Sequence, residues 1–269
     1  MKKNQIVQKY LQELNINHTI TTLEDITQLI KAHLRTFAFS SLKVLLKEEI
    51  SLDLNSIYEN LVVKKRGGYC FEQNKLIYEV LKELGFNVTY YLARVINNTD
   101  NIPPPTHRFT LLNLNNQNYI IDVGIGFRTP SVPIKFGDNV TISHLDVEYK
   151  IIEHEDKTYS MQLIEKNKPF NATKFDLNRC YEADFEMGHF YSYKNPDAIF
   201  VNNFVISLIQ DDVIHTLLND KYLKIYKNTT KKIEIESSIK LQQILIDDFN
   251  SQFTDKECDF FYKNYIKKQ

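Results

Sequence analysis

The spacing of apolar residues changes once along this chain, at Gly85, and that change restricts the fold more than any other feature. Before it, apolar positions recur at helical spacing: Ile6, Tyr10, Leu11 and Leu14, then Leu23, Ile26, Leu29, Ile30, His33 and Leu34. Leu52–Leu61 continues the pattern, and Leu76, Ile77, Val80, Leu81 and Leu84 form a stripe that stops at Gly85, a residue suited to a left-handed helix end. From Val88 onward short runs of β-branched and aromatic residues take over, at Val88–Ile96, His107–Leu114, Tyr119–Val123, Val147–Glu153 and Tyr159–Ile164. Helices followed by strands define an α+β chain with an antiparallel sheet or small barrel after the helices. Prolines 103–105, Pro130 and Pro133 punctuate the strands, and Asn115 and Asn116 tolerate the positive φ of a tight hairpin. Beyond about residue 195 the spacing predicts strands at Phe200–Ile209 and Tyr222–Ile225 and a helix over Ser238–Phe249.

Composition narrows the partners. The 269 residues carry 33 Lys and Arg against 34 Asp and Glu, a formal charge of −1, so no whole-protein positive field exists to hold a nucleic-acid backbone. The longest apolar stretch, Phe204–Ile209 interrupted by Ser207, falls far short of the roughly 18 residues of a membrane span. The N-terminal MKKNQIVQKYLQEL turns polar too soon for a secretory signal. Cys70, Cys180 and Cys258 form neither an even framework nor a CxxC pair, which favours a reducing cytoplasm. His144, His154, Cys180 and His189 lack zinc-like spacing, so no metal is expected. The basic tail Lys263, Lys267 and Lys268 reads as a solvated end.

Four of the seven glycines stand at two places: Gly67 and Gly68 just before Cys70, Gly124 and Gly126 just after Asp122. Glycine serves where a backbone turns sharply or is closely approached. In Arg66–Asn74 (RGGYCFEQN), Cys70 falls at the N-terminal turn of the helix ending near Leu84. There the free N–H groups and helix dipole favour a negative group, which activates a thiol and suits an oxyanion. The alternative is that Cys70 is a small buried hydrophobe. His107 opens an apolar strand after the proline loop and is the best base among the seven histidines. If Asn115–Asn116 is a two-residue loop, Leu114 pairs with Gln117, Phe109 pairs with Asp122, and Asp122 lies diagonal to His107, roughly 7–8 Å away between Cα atoms. A four-residue loop would place the two side chains about 13 Å apart. Otherwise His107 is a rim residue and Asp122 a turn residue. Of the 16 tyrosines and 17 phenylalanines most belong to packing, with Phe39, Phe109 or Phe127 available to line an aromatic pocket. Gly124 and Gly126 lack the rest of a dinucleotide fingerprint, and no phosphate-binding GxxxxGK[ST] occurs.

RGGYCFEQN, THRFTLLNL and YIIDVGIGFRTPSVPI together resemble the signature of the arylamine N-acetyltransferases: R-G-G-x-C-x-E-x-N, a histidine, then D-V-G-x-G followed by two spaced prolines. The resemblance runs from the N-terminal helices to about residue 225. It implies a helical domain over 1–86 carrying the nucleophile, a β-barrel domain over 87–195 carrying His107 and Asp122, and an α/β lid over 196–269. The catalytic core it implies is papain-like or transglutaminase-like. It further implies a ping-pong reaction in which Cys70 takes the acetyl group of acetyl-CoA and passes it to an aromatic amine or hydrazine. Cys70, His107 and Asp122 map onto the family's triad; Gly124, Gly126 and Phe127 onto a stretch close to CoA; Phe39, Ala93 and Ile125 onto the acceptor pocket. The family's P-F-E-N-L is replaced by Ala38, Phe39, Ser40, Ser41 and Leu42, which removes the acid that would neutralise Arg66. An amide synthase using a carrier-bound acyl chain, a thiol hydrolase and a binding protein on a degenerate enzyme fold are the rival readings.

Overall fold

A computed structural model describes residues 1–99, 101–137, 139–165 and 168–267; Lys268 of the basic tail lies outside the described residues. The first part is helical: α1 (Lys3–Glu13), α2 (Leu23–Thr36), strand β1 (Phe39–Ser40), α3 (Leu42–Leu45), α4 (Leu54–Tyr58) running into a π turn (Glu59–Val63), and α5 (Cys70–Glu83). Helix α2 starts on a capping box in which the Thr22 side chain accepts from the Asp25 N–H and the Asp25 carboxylate accepts from the Thr22 N–H. Helix α5 ends as its glycine predicts. Gly85 has φ +88° and bonds to Lys82 O, while Phe86 N–H reaches back to Leu81 O, the paired bonds of a Schellman stop. The apolar stripes of α1, α2, α4 and α5 meet in one core containing Tyr10, Ile26, Leu29, Ile57, Leu76, Ile77 and Val80, and Leu112 and Ile121 from the sheet close it.

The second part is β2 (Asn87–Val95), β3 (His107–Leu114), β4 (Gln117–Ile121), β5 (Ile134–Lys135), β6 (Thr141–Ile142), β7 (Glu148–Glu153), β8 (Tyr159–Glu165) and β9 (Lys168–Phe175). Among the described residues these form one eight-stranded sheet in the order β5-β4-β3-β2-β9-β8-β7-β6, its paired strands antiparallel. Contact between β5 and β7 brings the two ends together into a nearly closed barrel. Phe109, Ile120, Ile134, Tyr149, Met161, Leu163 and Phe175 fill it. The third part follows α6 (Glu182–Lys194) and α7 (Ile199–Asn202): strands β10 (Val205–Ile209), β11 (Ile214–Leu218), β12 (Lys221–Ile225) and β13 (Thr230–Ile233), then α8 (Ser238–Asp247) and α9 (Asp255–Phe261). The sheet order β1-β10-β11-β12-β13 draws β1 out of the helical part, so Phe39 and Ser40 pair with Ser207 and Ile206.

Several elements have no counterpart in the sequence reading, among them β5, β6, β11, β13 and α9, and three more show why. Strand β9 carries Lys168, Asn171, Thr173 and Lys174 and shows no apolar run, yet it is paired on both sides by β2 and β8. Helix α6 has Gly188 at its middle, which lowers helix propensity. The glycine is needed there: a Cβ on it would lie 2.9 Å from Pro105 O and 3.0 Å from the Phe71 ring, so it lets α6 press against the proline loop and α5. The strand expected over Phe200–Ile209 starts only at Val205. Before it, Asn202 donates to the Pro196 and Ala198 carbonyls and Asn203 to Ile199 O, closing the α7 turn that Ile199 and Val201 disguise as β.

Candidate active site

Cys70 is the first residue of α5 and is buried, at 3% exposure. The RGGYCFEQN segment around it is anchored residue by residue. Gly67 sits at φ +69°, and a Cβ there would fall 2.6 Å from Ser40 Cβ and 2.7 Å from Ala38 O, so only glycine lets this loop lie on β1. Ser40 N–H donates to Gly68 O (2.9 Å) and Gly68 N–H to Ala38 O (3.2 Å). The Tyr69 hydroxyl bonds to His189 Nδ1, and His189 Nε2 donates to Ile50 O (2.7 Å), tying the start of α5 to α6. Glu72 accepts from Lys43 Nζ (2.8 Å) and Asn60 Nδ2 (2.9 Å), a buried ion pair with its second hydrogen bond. Gln73 Nε2 donates to Ala38 O (2.8 Å), and its Oε1 lies 2.5 Å from His33 Nε2. Burial holds the His33 pKa down at about 4 against the Gln73 bond, so its ring is neutral and donates to Gln73.

The hairpin settles the other half of the site. Asn115 and Asn116 take φ 53° and 60°, the two positive values of a type I′ turn. Leu114 therefore pairs with Gln117 and Thr110 with Ile121, the short-loop register. Beyond the last pair, His107 Nε2 lies 2.6 Å from Asp122 Oδ2, with both side chains 2% exposed. Asn74, one turn after Cys70 on α5, donates to Asp122 Oδ1 (2.9 Å) and to Arg108 O (2.6 Å), and its Oδ1 accepts from Val123 N–H (2.9 Å). Gly124 N–H adds a further bond to Asp122 Oδ1 (2.9 Å), so both carboxylate oxygens are engaged without water. With Nε2 committed to Asp122, Nδ1 of His107 is left for the Cys70 sulfur, which interacts with the ring. The Cys70 sulfur also lies 3.5 Å from Thr106 O. Burial opposes a charge on His107, but the Asp122 carboxylate and Cys70 outweigh it and push its pKa well above the ordinary histidine value.

The glycines after Asp122 do different work. A Cβ on Gly124 would lie 2.8 Å from Cys70 Cα and 2.7 Å from Asn74 Nδ2, so this glycine permits the strand end to touch the helix start. Gly126, at φ +73°, faces Ser207 Oγ (3.6 Å) and the Phe39 ring (3.7 Å) from its Cβ position. Phe39 packs 5.9 Å from the Phe200 ring. Ala93 pairs directly opposite His107 across β2 and β3. Ile125 packs on the barrel core, while Phe127 packs on the helical core with the Arg128 guanidinium 4.4 Å over its ring. Phe109 lies inside the barrel, 4.8 Å from Phe175, and is buried. Thus Cys70, His107, Asp122 and Gly124 meet at one point, Phe39 and Gly126 meet at a second, and Phe127 is half-buried against the edge of the helical core. Asn74 had no role in the sequence reading, although its i+4 spacing from Cys70 places both on one helix face.

Arg66 finds its acids elsewhere than at Ser40 and Ser41. Its guanidinium lies 2.6 Å from Glu48 and makes two bonds to Glu257, at 2.8 and 3.3 Å, over the Phe253 ring at 4.6 Å.

A sequence family described as N-acetyltransferase matches residues 22–258. Similar curated proteins include the arylamine N-acetyltransferase of Escherichia coli, 37% identical over 69% of this chain and 67% of that protein. The arylamine N-acetyltransferase / N-hydroxyarylamine O-acetyltransferase of Salmonella typhimurium is 30% identical over 90% of this chain and 86% of that protein. The solved arylamine N-acetyltransferase from Salmonella typhimurium superposes with a TM-score of 0.91 at 27% identity over 97% of this chain and 98% of that chain. The Mycobacterium marinum enzyme in complex with CoA shares the fold at a TM-score of 0.90 and 22% identity over 97% and 100%. The chain belongs to the arylamine N-acetyltransferase family.

Proposed function

We propose that the protein is an acetyl-CoA-dependent N-acetyltransferase that carries the acetyl group on Cys70 and delivers it to an aromatic amine or hydrazine. The observation that supports this most directly is the thiol, imidazole and carboxylate in line at the start of α5: Cys70 beside the His107 ring, and His107 2.6 Å from Asp122. His107 takes the Cys70 proton, and Asp122 holds the ring orientation and favours the imidazolium. The Cys70 sulfur adds to the thioester carbonyl, whose oxygen gains negative charge near the N-terminal turn of α5, where N–H groups and helix dipole stabilise it. As the carbonyl re-forms, the C–S bond to CoA breaks and His107 returns its proton to the departing thiolate. In the second half-reaction the amine nitrogen adds to the acetyl-cysteine carbonyl, His107 takes a proton from that nitrogen, and the C–S bond to Cys70 breaks. The amide leaves and the cysteine thiolate is restored beside the imidazolium.

Phe39, Ala93 and Ile125 would flank the acceptor, with Gly126 and Phe127 on the CoA side and Gly124 holding the strand against the nucleophile. A CoA complex of a protein sharing this fold supports the donor, and the names of the relatives support the acceptor class. No helix among the described residues is long and apolar enough to cross a membrane, and the cysteine usage favours a cytoplasmic enzyme. Incubation with acetyl-CoA alone, followed by intact-protein mass spectrometry, should show an adduct of roughly 42 Da on Cys70 that is absent in Cys70→Ala. A protein that stays unmodified, or that releases acetate at the same rate with and without amine, refutes the transferase reading. Turnover of long acyl thioesters in preference to acetyl-CoA would mark it as an amide synthase.

A further inference from the structure

The loop that delivers Cys70 is held from behind by the C-terminal segment, 191 residues away in sequence. Between Arg66 and Cys70 lie only Gly67, Gly68 and Tyr69. Two of these have no side chain to anchor, and glycine backbones carry the largest conformational freedom. Backbone bonds from Gly68 to Ala38 and Ser40 hold the middle of this short tether, and the Arg66 side chain holds its upstream end. The Arg66 N–H donates to Asn60 O (3.1 Å), and its guanidinium is only 14% exposed. The grip on it comes mainly from α9 and the turn before it: two bonds to the Glu257 carboxylate, the Phe253 ring beneath, and Gln252 N–H donating to Lys65 O (2.9 Å). Glu48 makes the remaining contact from a side chain that is 41% exposed, against 20% for Glu257. Glu257 is itself fixed, since its Oε2 accepts from Thr254 N–H (2.7 Å) and Thr254 Oγ1 (2.9 Å) in the capping box of α9. Burial works against its charge, but the bonds from Arg66 and Thr254 outweigh it and keep the carboxyl below the usual range.

We infer that Glu257 is a positioning residue for the nucleophile, acting through Arg66 to hold the start of α5 where the Cys70 sulfur faces His107. This rests on the reading of Cys70 as the acetyl carrier. The two-pronged guanidinium–carboxylate contact fixes direction as well as distance, which a single exposed pair does not. An error at Arg66 pulls on those backbone bonds three residues from Cys70, and a displacement of about 1 Å at a reacting centre can cost on the order of a hundredfold in rate, of which the anchored glycines leave a part.

The test uses the full chain and reads the rate of acetyl-Cys70 formation in a single turnover across acetyl-CoA concentrations, beside thermal unfolding. Glu257→Gln keeps the side-chain shape but presents an NH₂ to the guanidinium in place of one oxygen. It should lower the rate at saturating acetyl-CoA by about five- to tenfold and leave the half-saturating concentration unchanged. Ile244→Val removes one methylene from the buried C-terminal core on α8 and makes none of the Arg66 or Glu257 contacts, so it should lower the unfolding temperature without slowing acetylation. Glu48→Gln should change the rate by less than about twofold, as expected for a half-exposed pair. A Glu257→Gln rate equal to that of the unaltered protein overturns the inference. So does a loss of rate in Ile244→Val that tracks its loss of stability as closely as Glu257→Gln does, because a merely structural C-terminal segment would behave so. Absence of any Cys70 adduct in the unaltered protein would instead remove the parent reading.

Discussion

Gly124→Ala strikes the contact between the end of β4 and the start of α5 directly. The added methyl would stand 2.8 Å from Cys70 Cα, 3.2 Å from Cys70 Cβ and 2.7 Å from Asn74 Nδ2. Ordinary carbon contacts lie at about 3.5–4.0 Å, so the strand end and helix start must part by roughly 0.7–1.2 Å. Neither neighbour can yield cheaply. One is helix backbone, and the other is the amide that bonds Asp122 Oδ1 and Arg108 O. Overpacking of this size costs about 1–3 kcal/mol, or roughly 2–10 °C in unfolding temperature for a chain of this size. The rate should suffer far more. A displacement of about 1 Å between sulfur and imidazole is worth on the order of a hundredfold. Gly85→Ala is the matched control: it sits at φ +88° with nothing within 4 Å of its Cβ, so it should cost about 1–2 kcal/mol of backbone strain and leave catalysis intact. Single-turnover acetylation with acetyl-CoA, read by mass spectrometry beside a thermal melt, separates the two. A Gly124→Ala protein that acetylates Cys70 at the unaltered rate would refute the claim that this glycine exists to let the strand touch the nucleophile.

Asp122→Asn should slow turnover by about 10³-fold or more while the fold survives, because the amide cannot support the imidazolium; near-normal turnover of an arylamine would remove Asp122 from the mechanism. Asn74→Ala strips one partner each from Asp122, Arg108 O and Val123 N–H, and at about 1–3 kcal/mol per abandoned buried group it should unfold at clearly lower urea concentration. An unchanged urea midpoint would contradict the hydrogen-bond pattern described. His33, fully buried with its pKa held at about 4, makes stability pH-dependent in a defined direction. The unfolded chain takes up a proton on this ring below about pH 6.5 and the folded chain does not. Its contribution is therefore complete above pH 6.5 and declines as pH falls toward 4, by roughly 3 kcal/mol in all. Urea titrations between pH 7.5 and 4 should show a shallower decline in His33→Gln than in the unaltered protein, and parallel curves would count against it.

Much of the site is local and so can be read along the chain. The helical stripe ending at Gly85 places Cys70 at a helix start, and the Asn115–Asn116 pair, able to hold two positive φ values, sets the register that brings Asp122 to His107. The three motifs carry the family in their spacing. Elements without a periodic apolar signal escaped: β9 is polar and becomes a strand because β2 and β8 flank it, and α6 hides its helix behind Gly188, which is there for contact with Phe71 and Pro105.

The sequence alone determined where the backbone must turn, which faces are apolar and which chemical groups stand at the turns, because dihedral preference and periodicity act between near neighbours. Only the tertiary structure decided which distant groups complete them. Glu257 reaches Arg66 across 191 residues, Asn74 meets Asp122 across 48, and Gly124 lies against the Cys70 backbone. Such pairings arise when separate cores pack together and leave a charge or amide facing its partner, and no run of neighbouring residues records that meeting.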